Sequence, residues 1–398
     1  MSQPSDKVKI IDLFAGPGGL GEGFSNCDNS PFEIAMSVEK EKNAHKTLTL
    51  RSFYRKLKDK SLYVRYVACT DESSKRLVMD EIEKTDEWRA ACEETLQRPH
   101  ALGNSKVFEK WKNGEVPDEK DFEEETPEQR EINRKIDEVC RSTGEDRRSN
   151  LRSCSPLIVI GGPPCQAYST IGRARRVGIA NHNQDHDERF FLYKEYADVI
   201  DRARPDLFVM ENVSGIGSAK LANGVRVFPE IIKRLEYLKE NPDPEKDQKV
   251  YHIYSLVTDK DNFIGSEGNP SDKDFVINAA DFGVPQERRR VILLGINAEH
   301  DKDGSLPLTM ESKLAPRAPS ISETIASLPK IRSSISTANR SSGPDRITED
   351  SPPDSDQEWH KIRNQCLDEI RRIVSGRDAI ERGIRDIMEW ERRSLRFE

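Results

Sequence analysis

The stretch VKIIDLFAGPGGLGEGF, residues 8 to 24, narrows the possible folds of this chain more than any other. A short apolar strand runs into a glycine-rich turn, and residues able to start a helix follow. The pattern then repeats: FEIAMSVEK reads as a second strand ending on Glu39, with a helical run, EKNAHKTLTLRSFYRKL, behind it. Two strand–loop–helix units in succession predict an α/β fold with a doubly wound, mostly parallel sheet, whose ligands sit beyond the strand C-termini.

The same rhythm returns downstream. The apolar run PLIVI, residues 156–160, delivers the chain into GGPPCQAYSTIGRAR, where proline lacks a donor and clashes with a preceding helical turn. A strand therefore ends there and displays the Cys165 thiol. ERFFLYKEYADVIDRARP reads as a helix, its aromatics as helix core, and DLFVMENVSGI as a strand. FPEIIKRLEYLKE is a further helix, and DFVINAADFGVPQERRRVILLGI a hairpin with its loop at the arginines. Residues 1–50 and 153–300 thus form one α/β domain. Residues 51–152, dense in Glu, Lys, Asp and Arg, read as a charged helical insertion on the surface. Residues 301–357 are rich in Ser, Pro and charge and read as linker, with one short helix at SISETIASL. Residues 358–398 return to helix, with Ile380, Ile384, Ile387 and Met388 as an apolar stripe.

Composition removes several classes. With 398 residues and 35% hydrophobic content, the chain can bury a core. No run is long and apolar enough for a bilayer span, and no basic, apolar leader precedes the first strand, so a cytoplasmic protein is expected. Seven cysteines without paired spacing argue against a disulfide framework or a four-ligand zinc site. The acidic pair-spaced histidines His182 and His186 have no further ligand nearby in sequence, so no metal is expected. A net charge of -8 excludes a uniformly basic surface, but Arg173, Arg175 and Arg176 and the QERRR run at 286–290 are local basic clusters.

The glycine turn has neither the G-x-G-x-x-G spacing of a dinucleotide site nor the G-K-[ST] of a phosphate loop. An adenosine without phosphate needs a close backbone approach, an apolar wall and a carboxylate for the ribose. Phe14, Gly16, Gly18, Gly19 and Glu39 provide these, with Glu39 about 20 residues past the turn. That set points to S-adenosylmethionine.

DLFAGPGGLGEGF, GGPPCQAYS, MENVSG and AADFGVPQERRRVILLGI stand in the order and spacing of the DNA cytosine-5 methyltransferases, which the chain resembles from residue 8 to about 300 outside the insertion. The resemblance implies a bacterial, nucleoid-associated enzyme of a restriction-modification system, similar to Dcm-like modification methylases, with duplex DNA as partner and S-adenosylmethionine as co-substrate. It implies Cys165 as the nucleophile that adds to carbon 6 of a flipped cytosine, a role for which a thiolate is well suited. Glu211 is implied as the acid at ring nitrogen 3, and Arg288 and Arg290 as donors to the base carbonyl and adjacent phosphate. Alternation places those two arginines on one strand face with Arg289 on the other. Leu20 and Pro164 join the implied methyl-donor site, whereas Asn212 and Gln286 orient loops.

The family usually continues with a target-recognition region, an R-E-A motif and a closing G-N-A/S-V motif, and these are not recognised here. A second polypeptide bringing them, or a truncated chain that is inactive alone, are the two readings. RNA cytosine-5 methylation and a non-catalytic binding subunit stand as alternatives.

Overall fold

The structure, a computed structural model, describes residues 7–29, 31–69, 71–103, 110, 125–144, 147, 151–164, 192–220, 224–239, 243–257, 272–302 and 317–325. Cys165, Arg173, Arg175, Arg176, His182, His186 and the tail stripe lie outside them. Residues 1–321 form one compact unit, and a second begins at Ser322. No described helix is long and apolar enough to cross a membrane.

Among the described residues seven strands form one sheet: β1 Val8–Leu13, β2 Phe32–Val38, β3 Leu157–Gly161, β4 Leu207–Val213, β5 Tyr251–Tyr254, β6 Val276–Asn278 and β7 Arg289–Asn297. Their order is β2-β1-β3-β4-β7-β5, with β6 also pairing β7. The β1–β2, β1–β3 and β3–β4 pairs are parallel, and β7 runs antiparallel to β4, β5 and β6. Leu13 lies beside both Val38 and Gly161, and Gly161 beside Met210, so the loops after β1 to β4 leave from one rim.

Strand alternation sends side chains to two covered faces. Ile11 and Leu13 join the main core, while Ile10, Ile34, Ile158 and Ile160 face the opposite way, packed with Leu20 and Phe24 of α1 (Gly19–Ser25). The main-core face is closed by α6 (Pro127–Thr143), α7 (Leu192–Ala203) and α8 (Val227–Tyr237), through Ile132, Ile136, Val139, Ile200 and Ile231 among others. All five residues of β3 are buried, as expected of a central strand covered on both sides. The fold is therefore α/β with a doubly wound, mostly parallel sheet.

Two expectations change. Residue 51 falls inside α2 (Lys42–Lys56), and the charged stretch is not merely a surface appendage. Its α3 (Ser61–Ala68), α4 (Glu72–Ile82) and α5 (Asp86–Glu94) share a small core of Phe53, Tyr66, Val78, Ile82 and Ala91, whereas Leu96, Leu102 and α6 enter the main core. The apolar spacing of Ile132, Ile136 and Val139 puts one stripe of a charged helix on the sheet. A capping box between Thr126 and Gln129 starts that helix. Second, the hairpin does form, but only Arg288 lies in its connection, residues 279–288; Arg289 and Arg290 belong to β7 and pair with Asn278 and Ile277.

Candidate active site

The rim above β1 and β2 is built by backbone strain and one carboxylate. Phe14, Gly16 and Gly18 have φ of 53°, 57° and 90°, so the chain turns sharply before α1. Gly16 donates its N–H to Glu39 Oε2 at 2.8 Å, and Glu41 donates to Glu39 Oε1 at 2.6 Å. Ala15 N–H also bonds to the Val38 carbonyl at 3.0 Å. Glu39 is thereby fixed against the glycine turn, and each carboxylate oxygen has a further lone pair available to hydroxyl donors. A Cβ built on Gly16 or Gly19 meets nothing within 4 Å, so a side-chain-free backbone borders open space. Those features fit an adenosine-bearing donor. Phe14 is partly buried against the main core, and Leu20 packs inward on the Ile10 cluster.

The rim above β3 and β4 holds the second group. A Cβ on Gly162 would lie 3.0 Å from Glu211 Oε2, so only a residue without a side chain lets the GGPP loop pass this carboxyl freely. Asn212, 5% exposed, donates from Nδ2 to the Pro163 carbonyl at 3.2 Å and accepts from Val213 N–H at 2.9 Å. It orients the loop, as its position in the sequence led us to expect. Pro164, half-buried, ends the described part of this loop one residue before Cys165.

Across the antiparallel pair, Arg290 lies opposite Val213 and brings its Nε within 2.7 Å of Glu211 Oε1. The Nε–H is not aligned on that oxygen, so the contact is an ion pair without a full hydrogen bond there. Its Nη1 donates to the Arg289 carbonyl at 2.7 Å. Glu211 and Arg290 thus meet at a half-exposed point beside the loop that leads to Cys165. Arg288 does not join them: it is exposed, precedes β7, and its carbonyl accepts the Ala279 N–H at 3.0 Å. Gln286 is likewise exposed on the connection.

One titratable group missed from the sequence lies under the glycine turn. Asp12 is 1% exposed; the Gly21 backbone N–H acts on its carboxyl, but neither oxygen has a donor in full alignment. Burial first, and then the negative charge of Glu94, push its pKa up to about 8. Arg55 acts against this and also bridges Glu22 of α1 to Glu94 of α5, tying the helical insertion to the turn. Its position in an otherwise apolar strand, VKIIDL, was the available signal. No group of three or more His, Cys, Asp or Glu able to hold a metal ion is found among the described residues.

A profile of C-5 cytosine-specific DNA methylases matches residues 107–240 and 273–391. The type II methyltransferase M.Bpa9945I of Bacillus paralicheniformis is 32% identical over 344 residues, which are 81% of this chain and 61% of that protein. The type II methyltransferase M.XorII of Xanthomonas oryzae pv. oryzae is 31% identical over 163 residues, covering 39% of this chain and 29% of that one. A solved structure from Escherichia coli, described as a prophage-encoded DNA modification methyltransferase, overlaps with a TM-score of 0.39 at 17% identity, over 82% of this chain and 56% of that one. This chain spans less than two thirds of the first relative's length.

Proposed function

As the chain belongs to the C-5 cytosine-specific DNA methylase family, we propose that it transfers a methyl group from S-adenosylmethionine to carbon 5 of cytosine in duplex DNA. The observation that carries this reading is the convergence of Glu211, Arg290 and the GGPP loop at one rim of the sheet, next to a glycine turn whose backbone is held by Glu39. In this proposal Glu39, Phe14 and the backbone of Gly16, Gly18 and Gly19 hold the donor, which supplies the methyl group. Leu20 supports that turn from below, and Pro164 borders the site.

Cys165 adds as a thiolate to carbon 6 of a base flipped from the duplex, which breaks the ring's aromaticity and makes carbon 5 nucleophilic. Glu211 shares a proton with ring nitrogen 3 as negative charge builds there, and Arg290 fixes the Glu211 carboxyl while offering remaining N–H donors to the base carbonyl. Arg288, exposed just before β7, meets a phosphate in this proposal. Carbon 5 takes the methyl group as the donor sulfonium becomes a neutral thioether; carbon 5 then loses its proton to water, and the electrons of that bond expel Cys165 as a thiolate by breaking the carbon 6–sulfur bond. A second polypeptide that supplies target reading is part of this proposal.

The test is methyl transfer from a labelled donor into duplex DNA by the chain together with its genomic neighbours. Glu211→Gln is expected to lower transfer by about 100-fold while donor binding holds. Unchanged transfer by that variant would remove Glu211 from the reaction.

A further inference from the structure

The edge of the sheet next to the glycine turn is covered by an irregular strap, residues 95–103, that leaves α5 and runs past the end of β2. Leu96 and Gln97 both have φ of 60° and Gly103 has 105°, so this backbone is held in conformations that need support. The support is specific. Thr95 accepts at its carbonyl from His45 Nε2 at 2.7 Å, and its hydroxyl lies 2.9 Å from that of Thr49, which fastens the start of the strap to α2. Leu96 and Leu102 anchor it in the main core.

His100, 1% exposed, ties it further. Its backbone N–H donates to the Glu39 carbonyl at 2.9 Å. Its ring Nδ1 lies 2.6 Å from the Arg98 carbonyl and its Nε2 lies 2.9 Å from Glu131 Oε2 on α6. A carbonyl oxygen can only accept, and an ionised carboxylate can only accept. Both ring nitrogens must therefore carry protons for both bonds to exist, and a neutral ring has to give one of them up. Glu131 is held ionised: the bond from His100 is the largest influence lowering its pKa, followed by that from Arg98. The charged groups around the ring are Glu131 and Glu128 on α6, Arg98 on the strap, which pairs with both, and Glu39 at the end of β2.

We propose that His100, as an imidazolium clamped between Glu131 and the Arg98 carbonyl, is a positioning residue for the methyl donor, acting through the Glu39 backbone that it holds. The inference rests on Glu39 being the ribose-binding carboxylate. When the ring loses its second proton, one clamp opens, the strap loosens and Glu39 is held less firmly against Gly16. Donor affinity therefore depends on both ring nitrogens donating and falls when either donor is lost. The device belongs to this chain's own helical insertion, which places both the strap and α6 beside β2.

Calorimetric binding of S-adenosylmethionine to the full 398-residue chain at about pH 6 and about pH 8.5 tests it. Affinity of the wild type is expected to drop at least about fivefold across that range relative to His100→Gln, a difference that cancels titration of the donor itself. Glu131→Gln is expected to bind at both pH values with little difference, since a neutral ring can donate from Nδ1 to Arg98 and accept from the new amide. Histidine nitrogen NMR of the wild type, with His100 assigned by its absence in His100→Gln, should show both ring nitrogens protonated at about pH 6. A neutral ring at that pH, or equal pH dependence in wild type and His100→Gln, overturns the proposal. Should His100→Gln fail to fold, the Glu131→Gln profile decides in the same way. Glu39→Ala separates the two levels: unchanged donor binding in that variant removes the ribose reading itself, whereas a large loss there with no His100 effect removes only the clamp. No measurable binding by the wild type removes both.

Discussion

Replacing Asp12 with Asn should stabilise the protein, and by an amount that grows with pH. The carboxyl is 1% exposed beneath the glycine turn, with no aligned donor on either oxygen, although Gly21 packs directly over it. Burial, the nearby charge of Glu94, and Glu39 behind it move the pKa from an ordinary 3.8 to about 8, with Arg55 in opposition. Below the lower value Asp12 is protonated in folded and unfolded chains alike, so its stabilising proton is fully in place there. Between the two values the unfolded chain releases a proton that the folded chain retains, and stability falls as pH rises, levelling only above the folded value. Each pH unit in that interval costs about 1.4 kcal/mol, so ~4 kcal/mol is withheld from the fold at pH 7. Asn carries no such charge in either state. Urea unfolding of both proteins from pH 5 to about 8 should therefore show a stability difference that widens by about 1.4 kcal/mol per unit. Parallel pH profiles for the two proteins would refute the buried placement of this carboxyl, in which burial outweighs the Gly21 N–H and Arg55.

Gly162→Ala puts a methyl group 3.0 Å from Glu211 Oε2 and should displace that carboxyl by a few tenths of an ångström. Transfer measured with a labelled donor is expected to fall about tenfold or more, with circular dichroism melting almost unchanged. Arg290→Lys keeps the charge beside Glu211 but loses the planar donor set, and initial rates should drop by about 100-fold with donor affinity retained. Thr126→Ala removes the side-chain half of the capping box on α6, the hydroxyl that accepts the Gln129 N–H, and should cost about 1 kcal/mol in chemical denaturation.

The parallel half of the sheet is legible in sequence because its strands advertise themselves. VKIIDL and FEIAMSV are short apolar runs punctuated by glycine or acid, and LIVIG is apolar throughout, as a strand covered on both faces must be. The relation between Glu211 and the GGPP loop follows from the adjacency of β3 and β4, which sequence order alone suggests. What sequence does not convey is the insertion of antiparallel β7 between β4 and β5, since pairing with a distant strand leaves no local periodic mark. That strand is what carries Arg290 to Glu211, while Arg288, two residues earlier, stays outside the contact because β7 begins after it. The charged stretch conceals its role for a related reason: Ile132, Ile136 and Val139 form one narrow apolar stripe in a helix otherwise dominated by charge. His100 gives no sequence signal beyond following a proline, and its importance emerges only when Glu39, Arg98 and Glu131 are seen around it.

The central claim is that the loop after β3 presents a nucleophilic thiol to cytosine next to Glu211. Incubating the chain, alone and with the proposed second polypeptide, with S-adenosylmethionine and duplex DNA containing 5-fluorocytosine, which blocks release of the enzyme, tests it most directly. Peptide mass spectrometry should find the DNA joined to Cys165, and Cys165→Ser should form no adduct. Attachment at another residue, or an adduct that survives Cys165→Ser, would contradict the account, as would trapping on transfer RNA in place of DNA.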